Sequence, residues 1–273
     1  MRERDKRHVK NHLKKNKFCS SNEIKNDLDL DCSSRTIRRY LNELNLKYSK
    51  MKKKPLLIDA KKKARSEWCL EKIRWKKEWN FIWFSDEKRF CLDGPDGINY
   101  YWHGLSDHEK DNYCAKRKFG GGGIMVWGAI SYFGKTEIVF IEKNLNSLQY
   151  IEIIKKYYFN FIKEYEDYED FTFQQDNASV HTSKKTMRFF SKKGINILGW
   201  PANSPDLNPI ENVWGILVRS IYRKGTINSI PELKRKIKEA WDSITLETLR
   251  KLVCSMEDRV FLVLKNEGGS IDY

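Results

Sequence analysis

From Asn80 to the end of the chain, short strand-like runs rich in aromatic and β-branched residues trade places with stretches of helical period. This order restricts the fold more than any other feature of the sequence. FIWFSDEKRFCL (81–92) reads as a first strand, GIMVWGAIS (123–131) as a second entered through Gly120 to Gly123, and TEIVFIE (136–142) as a third. Ser147 to about Tyr165 reads as a helix with Leu148, Ile151, Ile154, Tyr158 and Ile162 on one side. FTFQQD (171–176) is a fourth strand, SKKTMRFFSKKG (183–194) a helix stopped by Gly194, INILGW (195–200) a fifth strand and PIENVWGILVRSIY (209–222) a helix. Two more amphipathic helices, near 230–242 and 246–265, follow. Three successive strands and then alternating helices and strands predict an α/β domain with a mixed sheet over residues 81–273.

The first third of the chain has a different texture. Residues 1–80 hold 25 Lys and Arg against 11 Asp and Glu, a net of +14, whereas residues 81–273 hold 27 against 26. A basic segment joined to a near-neutral body reads as a polyanion-binding module, with nucleic acid the commonest polyanion; a solvated face is the alternative. Within it, Ser20 and Glu23 have capping-box spacing, and Ile24 with Leu28 gives a short helix an apolar stripe. Asp31 to Ser34 is turn-like, and a second helix follows with Ile37, Leu41 and Leu44 inward and Arg35, Thr36, Arg38 and Arg39 largely on other faces. The pair fits a helix-turn-helix whose second helix enters the major groove, although any small helical hairpin shares the pattern. The lysine-rich connector after it, with Lys52, Lys53 and Lys54, suits phosphate tracking, a nuclear import signal or plain solvation. The expected organisation is therefore a DNA-binding module with basic linker over 1–60, a connecting helix over 61–80 and the α/β domain over 81–273.

Several function classes are excluded at this stage. The longest apolar run, around GIMVWGAI, is far shorter than the roughly 20 residues that span a bilayer, so no membrane role is expected. Six cysteines lie scattered without a C-x-x-C pair, which argues against a zinc module or a disulfide framework and for reduced, mostly buried thiols. GAISYFGKT (128–136) imitates a phosphate-binding loop, but Ala129 stands where that loop needs glycine and a strand follows where it needs a helix. No nucleotide cofactor is expected.

Three carboxylates stand out by placement. Asp86 falls within the first strand among Phe81, Trp83 and Phe84, where an aspartate is a poor strand former and costly to bury unpaired. Asp176 ends the fourth strand, where open α/β sheets place their ligands. Glu211 sits on the rim of the apolar stripe formed by Ile210, Val213, Trp214, Leu217 and Ile221. Each has a structural reading as well. With Asn208 as cap and Pro209 at the first helical position, Glu211 is placed to reach back to the cap amide. Asp86 suits a strand end, and Asp176 with Asn177 suits a turn. Together, three such carboxylates would hold magnesium or manganese, and two ions roughly 3.5–4 Å apart serve displacement at phosphorus.

The combination of SSRTIRRYL, FSDEKRF, KFGGGGIMVWGAIS, QQDNASVHTS and WPANSPDLNPIENVW resembles transposases of the mariner superfamily, in the Tc-type branch, over essentially residues 18–273. The 34 residues between Asp176 and Glu211 are similar to the Tc-type interval. The resemblance implies an RNase H-like catalytic domain and a catalytic, metal-holding triad of Asp86, Asp176 and Glu211 with two magnesium or manganese ions. It also implies cut-and-paste action at terminal inverted repeats of double-stranded DNA, insertion at TA dinucleotides, and work in the nucleus as a homodimer or higher oligomer. Family members usually carry two tandem helix-turn-helix units. The one recognised here corresponds to the second, the first being unrecognisable in the roughly 17 lysine- and arginine-rich residues ahead of it. Two other readings stand beside the transposase: a non-catalytic DNA-binding remnant or regulator, and an RNase H-like nuclease without strand transfer.

Overall fold

The computed structural model describes residues 1–15, 19–44, 46, 57–94, 122–142, 145–163, 165, 170–223 and 227–272. The chain divides into two compact units, Met1–Lys54 and Pro55–Tyr273.

The first unit contains helices α1 (Glu3–Lys15), α2 (Ser21–Asp27) and α3 (Ser34–Glu43). The capping box at Ser20 forms as its spacing implies: the Ser20 hydroxyl accepts from the Glu23 amide at 3.3 Å, and the Glu23 carboxylate accepts from the Ser20 amide at 2.6 Å. Ser33 caps α3. Helix α1 occupies the basic residues in which sequence periodicity identifies no element. It buries Val9 against Ile24, Leu30 and Ile37, and the Tyr40 hydroxyl donates to the Lys6 carbonyl at 3.3 Å. Three helices sharing one small apolar centre make the unit a packed module rather than an isolated hairpin.

The second unit is built on a five-stranded sheet. Its strands are β1 (Ile82–Cys91), β2 (Gly123–Ile130), β3 (Val139–Ile141), β4 (Thr172–Gln174) and β5 (Asn196–Ile197), in the spatial order β3-β2-β1-β4-β5. The β1–β2 and β2–β3 pairs are antiparallel, whereas β1–β4 and β4–β5 are parallel. This is the mixed sheet expected from the order of elements, with β3 and β5 shorter than their apolar runs imply.

Strand alternation divides the core in two. Phe84 and Phe90 face a cluster with Trp79, Trp214 and Trp241, and Trp83 faces one with Tyr150, Tyr158, Phe173 and Phe190. The first cluster takes in α4 (Asp59–Lys72), α8 (Ile210–Tyr222), α9 (Ile230–Asp242), α10 (Leu246–Cys254) and α11 (Met256–Lys265). The second lies under α5 (Ser147–Ile153), a π-helical segment Ile154–Phe159, α6 (Asn160–Ile162) and α7 (Lys184–Lys193).

Three expectations need revision. The connecting helix placed over 61–80 runs over Asp59–Lys72, with a separate 3-10 turn at Lys77–Phe81, and it packs within the second unit through buried Arg65 and Trp68. The single helix placed near 246–265 is two, parted at Ser255, whose hydroxyl donates to the Leu252 carbonyl at 2.6 Å and so competes with the helical ladder. The described thiols are less buried than expected: Cys19 and Cys69 are buried, Cys32 and Cys91 partly so, and Cys254 is exposed, while Cys114 lies outside the described residues.

Candidate active site

Register brings the first two carboxylates together. Phe84 pairs with Gln174 across the parallel strands, so two residues further on Asp86 and Asp176 leave the same end of adjacent strands. Ser85, between Phe84 and Asp86, is held on three sides. Its amide donates to the Gln174 side-chain oxygen at 3.1 Å, its hydroxyl donates to the Gln174 carbonyl at 2.7 Å, and its carbonyl accepts from the Asn208 amide group at 3.1 Å. The last bond ties the entrance of α8 to β1. Asp86, Asp176 and Glu211 then line one cleft of about 400 Å³, together with Trp200 to Pro205 and Asn208.

Asp86 shares the face of Phe84 and Phe90 and accepts from the Trp214 indole N–H at 2.9 Å. The strand residue opposite it is Gly128. A Cβ there would come within 2.8 Å of the Trp241 ring and 3.4 Å of the Trp214 ring, so only glycine lets the two indoles stack at 5.5 Å beneath the carboxylate. Burial, and then the charges of Glu211 and Glu87, push the Asp86 carboxyl up to about 7 despite the indole bond. Burial likewise raises Glu211, while Lys88, with Nζ 3.9 Å from its carboxylate, opposes the rise.

Asp176 is exposed on the cleft side but engaged from the other. Its Oδ1 lies 2.6 Å from His181 Nδ1 and accepts from the Ala178 amide at 2.9 Å. The His181 bond, above all, holds the carboxyl below its ordinary value. His181 Nε2 lies 3.2 Å from Glu87, whose side chain points to the opposite face of the sheet from Asp86. Both partners can only accept when ionised, so both ring nitrogens carry protons. Burial depresses the imidazole, but the two carboxylates outweigh it and lift the group to about 9.

The capping role expected for Glu211 is absent. Pro209 has helical dihedral angles and Asn208 before it is extended, as the sequence implies. Yet the Asn208 amide already donates to the Pro205 carbonyl at 3.0 Å, within the 3-10 turn Pro205–Leu207. That leaves the Glu211 carboxylate to the cleft. The loop ahead of it is fixed by two buried arginines. Arg65 makes paired bonds to the Asp206 carboxylate at 2.8 and 2.7 Å, while Arg259 donates to the Asp206 carbonyl at 2.8 Å and to Asn212 at 2.7 Å. Asp206 and Asn212 thus flank Glu211 with rigid attachments.

Among the described residues, no three carboxylate, imidazole or thiolate side chains are drawn tightly enough together to hold one ion. Each acid of the cleft leans on a protein partner: Asp86 on Trp214, Asp176 on His181, Glu211 toward Lys88. The donor set nevertheless fits a hard divalent cation, because all three are carboxylates and the repulsion that Glu211 exerts on Asp86 is what a cation offsets.

In the first unit, Arg35, Arg38 and Arg39 project from α3 as exposed side chains, whereas Thr36 is partly buried, with its hydroxyl 3.0 Å from that of the capping Ser33. Lys52, Lys53 and Lys54, and with them Gly120 and Gly121, lie outside the described residues. Sequence reasoning missed His181, Trp214 as a donor, and the Arg65 and Arg259 clamp. His181 carries one signal, being among only five histidines of the chain and five residues beyond Asp176; the other contacts join distant segments and have none.

Comparison with known proteins agrees with this geometry. A family model described as DDE superfamily endonuclease matches residues 81–234, and one described as transposase, of the Tc3 helix-turn-helix kind, matches residues 6–74. The chain is 41% identical over 256 residues to the Tc3 transposase of Caenorhabditis elegans, covering 93% of this chain and 76% of that one. It is 34% identical over 248 residues to the Tcb1 transposase of Caenorhabditis briggsae, covering 88% of each. The fold is similar to that of the Mos1 mariner paired end complex with Mn, with a TM-score of 0.75 at 16% identity over 98% of this chain and 80% of that one. The sheet with its carboxylate cleft is therefore RNase H-like, and the chain belongs to the mariner superfamily of DNA transposases, in the Tc-type branch, as an enzyme with a DDE endonuclease domain.

Proposed function

We propose that this transposase cuts double-stranded DNA at the terminal inverted repeats of its element and joins the freed ends to target DNA at TA dinucleotides, using Asp86, Asp176 and Glu211 as its catalytic, metal-holding residues. The observation that carries the reading is the convergence of these three acids on one cleft, with Glu211 close enough to Asp86 to raise the cost of its ionisation. Magnesium or manganese, two ions in number, would supply Lewis-acid activation of the scissile phosphate and of the attacking oxygen when bound. The Mos1 relative of similar fold was solved as a paired end complex with manganese, which supports both the metal and action as an oligomer on DNA.

The chain's own residues prepare the cleft. Trp214 orients Asp86 by its indole N–H, His181 orients Asp176, and the Asn208 bond to Ser85 sets the distance between α8 and β1. Lys88 stands at the cleft edge beside Glu211, positioned to meet a phosphate oxygen. Hydrolysis adds a water oxygen to the scissile phosphorus and breaks its bond to the 3′-oxygen, leaving a 3′-hydroxyl on one side of the cut and a 5′-phosphate on the other, whichever strand is cut. Strand transfer repeats the displacement with a 3′-hydroxyl as nucleophile. Arg35, Arg38 and Arg39 of α3 read the repeat, with Thr36 and the connector lysines 52 to 54 on the phosphates, in the nucleus where the element resides.

The test is a cleavage assay on a duplex carrying the element end, with the parent and Asp176→Asn. Cutting in magnesium or manganese by the parent, none in excess chelator and none by the variant at parental DNA affinity is the expected result. Cutting by Asp176→Asn at the parental rate overturns the assignment.

A further inference from the structure

His181 is 4% exposed, and both of its ring nitrogens have carboxylate partners. Nδ1 meets Asp176 Oδ1 at 2.6 Å, Nε2 meets Glu87 at 3.2 Å, and the ring lies 4.3 Å from that of Tyr150. The Tyr150 hydroxyl donates to the Gln175 side-chain oxygen at 2.8 Å, and the Gln175 amide group donates to the His181 carbonyl at 3.2 Å. The backbone closes the same circuit, because the His181 amide donates to the Ala178 carbonyl at 2.9 Å. A ring packed against Tyr150 on one side, bonded at both nitrogens and fixed through its own backbone has one orientation.

Its partners lie on two faces of the sheet. Asp176 lines the cleft with Asp86 and Glu211, whereas His181 and Glu87 line a separate cavity of about 440 Å³ with Arg89 and Met125. The imidazole thus reaches Asp176 from beneath. Oδ1 takes two donors, His181 Nδ1 and the Ala178 amide, which fixes the carboxylate plane. A ligating carboxylate held in this way presents its other oxygen without losing rotamer freedom on binding.

We propose that His181 is a positioning residue for the transposase reaction, clamping Asp176 by Oδ1 so that Oδ2 is the oxygen offered to the metal, with Glu87 and Tyr150 as its buried supports. This rests on the assignment of Asp176 as a metal-holding residue. Outer partners of this kind typically govern affinity by about 10–100-fold.

Asparagine and glutamine separate positioning from packing. In His181→Asn the side-chain nitrogen falls near the place of Nδ1 and keeps the bond to Asp176; in His181→Gln it falls near Nε2 and keeps only the bond to Glu87. Manganese affinity of the full chain, read by the EPR signal of free Mn2+, should stay within a few-fold of the parent for His181→Asn and fall about 10–100-fold for His181→Gln. Melting temperatures without metal should drop by similar amounts in both. Glu87→Ala, which leaves the imidazole in place but frees its far end, should weaken manganese binding less than His181→Gln. Equal losses in the Asn and Gln variants, or unchanged affinity in both His181→Gln and Glu87→Ala, overturn the proposal. Asp176→Asn with parental manganese affinity overturns the underlying site assignment instead, and is read on the same titration.

Discussion

The Trp214 indole N–H donates to Asp86 Oδ2 at 2.9 Å, so the helix that carries Glu211 also orients the first carboxylate of the cleft. One helix therefore sets two of the three acids. Phe90 and Trp241 pack on the Trp214 ring, which makes this orientation a property of the aromatic core rather than of the surface.

Filling the space opposite Asp86 should test that coupling. Gly128→Ala places a methyl group against the Trp241 and Trp214 rings, and overpacking of this kind costs about 1–3 kcal/mol. DNA cleavage should fall more than the loss of folded protein accounts for, since the indole that holds Asp86 must move. Chemical denaturation and single-turnover cleavage on one preparation check this; cleavage at the parental rate would show that Trp214 is dispensable to Asp86.

Glu211→Gln should leave folding intact and remove cleavage. The side chain has no cap to maintain, and its burial raises the carboxyl, so neutralising it should hold or raise the melting temperature without metal. A fall in cleavage of several orders of magnitude is expected. Near-parental cutting would leave the cleft with two working acids.

Stability without metal should depend on pH through Asp86. Its folded value lies near 7, above the ordinary value of 3.8, so the folded state binds this proton more tightly than the unfolded chain. That contribution is complete below about pH 4 and is lost as pH rises through 7. Asp86→Asn should flatten this part of the melting profile. Manganese added at pH 7.5 should raise the parent's melting temperature and not the variant's. A profile identical in parent and variant would mean that Asp86 is not the titrating group.

Arg38→Ala with Arg39→Ala should weaken binding to the element end by roughly 1–3 kcal/mol per base contact, or reduce the salt slope by about one unit for each lost phosphate contact. Both side chains are exposed on α3, so the melting temperature should barely move. Unchanged affinity and slope would assign DNA reading to another face.

Asp206→Ala should destabilise the second unit by about 3–5 kcal/mol, because it leaves Arg65 buried without its carboxylate partner. The loss should be visible in denaturant midpoints, and a change below 1 kcal/mol would show that the Gly268 and Gly269 carbonyls satisfy Arg65 alone.

What could be read in the sequence follows the range of the interactions involved. Strands β1 and β2 are legible as short runs of apolar and aromatic residues, and α7 ends at Gly194 because its φ of 66° favours glycine. Helix α1 stays hidden because Val9 and Leu13 are nearly its whole apolar stripe, and its burial comes from α2 and α3 rather than from its own pattern. Strand β5 is short because its ladder with β4 covers only Asn196 and Ile197, with one further bond from the Leu198 amide to the Phe173 carbonyl, a limit no local run of apolar residues reveals. At the site, the three acids are legible as misfits in their elements. Their supports are not: Trp214 lies 128 residues from Asp86, and Arg65 lies 141 from Asp206.

The two buried arginines come from opposite ends of the second unit, Arg65 from its first helix and Arg259 from its last. During synthesis, all three acids emerge before Arg259 does. Until that residue arrives, the loop ahead of Glu211 lacks half of its anchor, and contacts spanning so much chain are slow to close. An unfinished polypeptide thus carries the three acids of the cleft before the last helix has supplied the second anchor of the segment around Glu211.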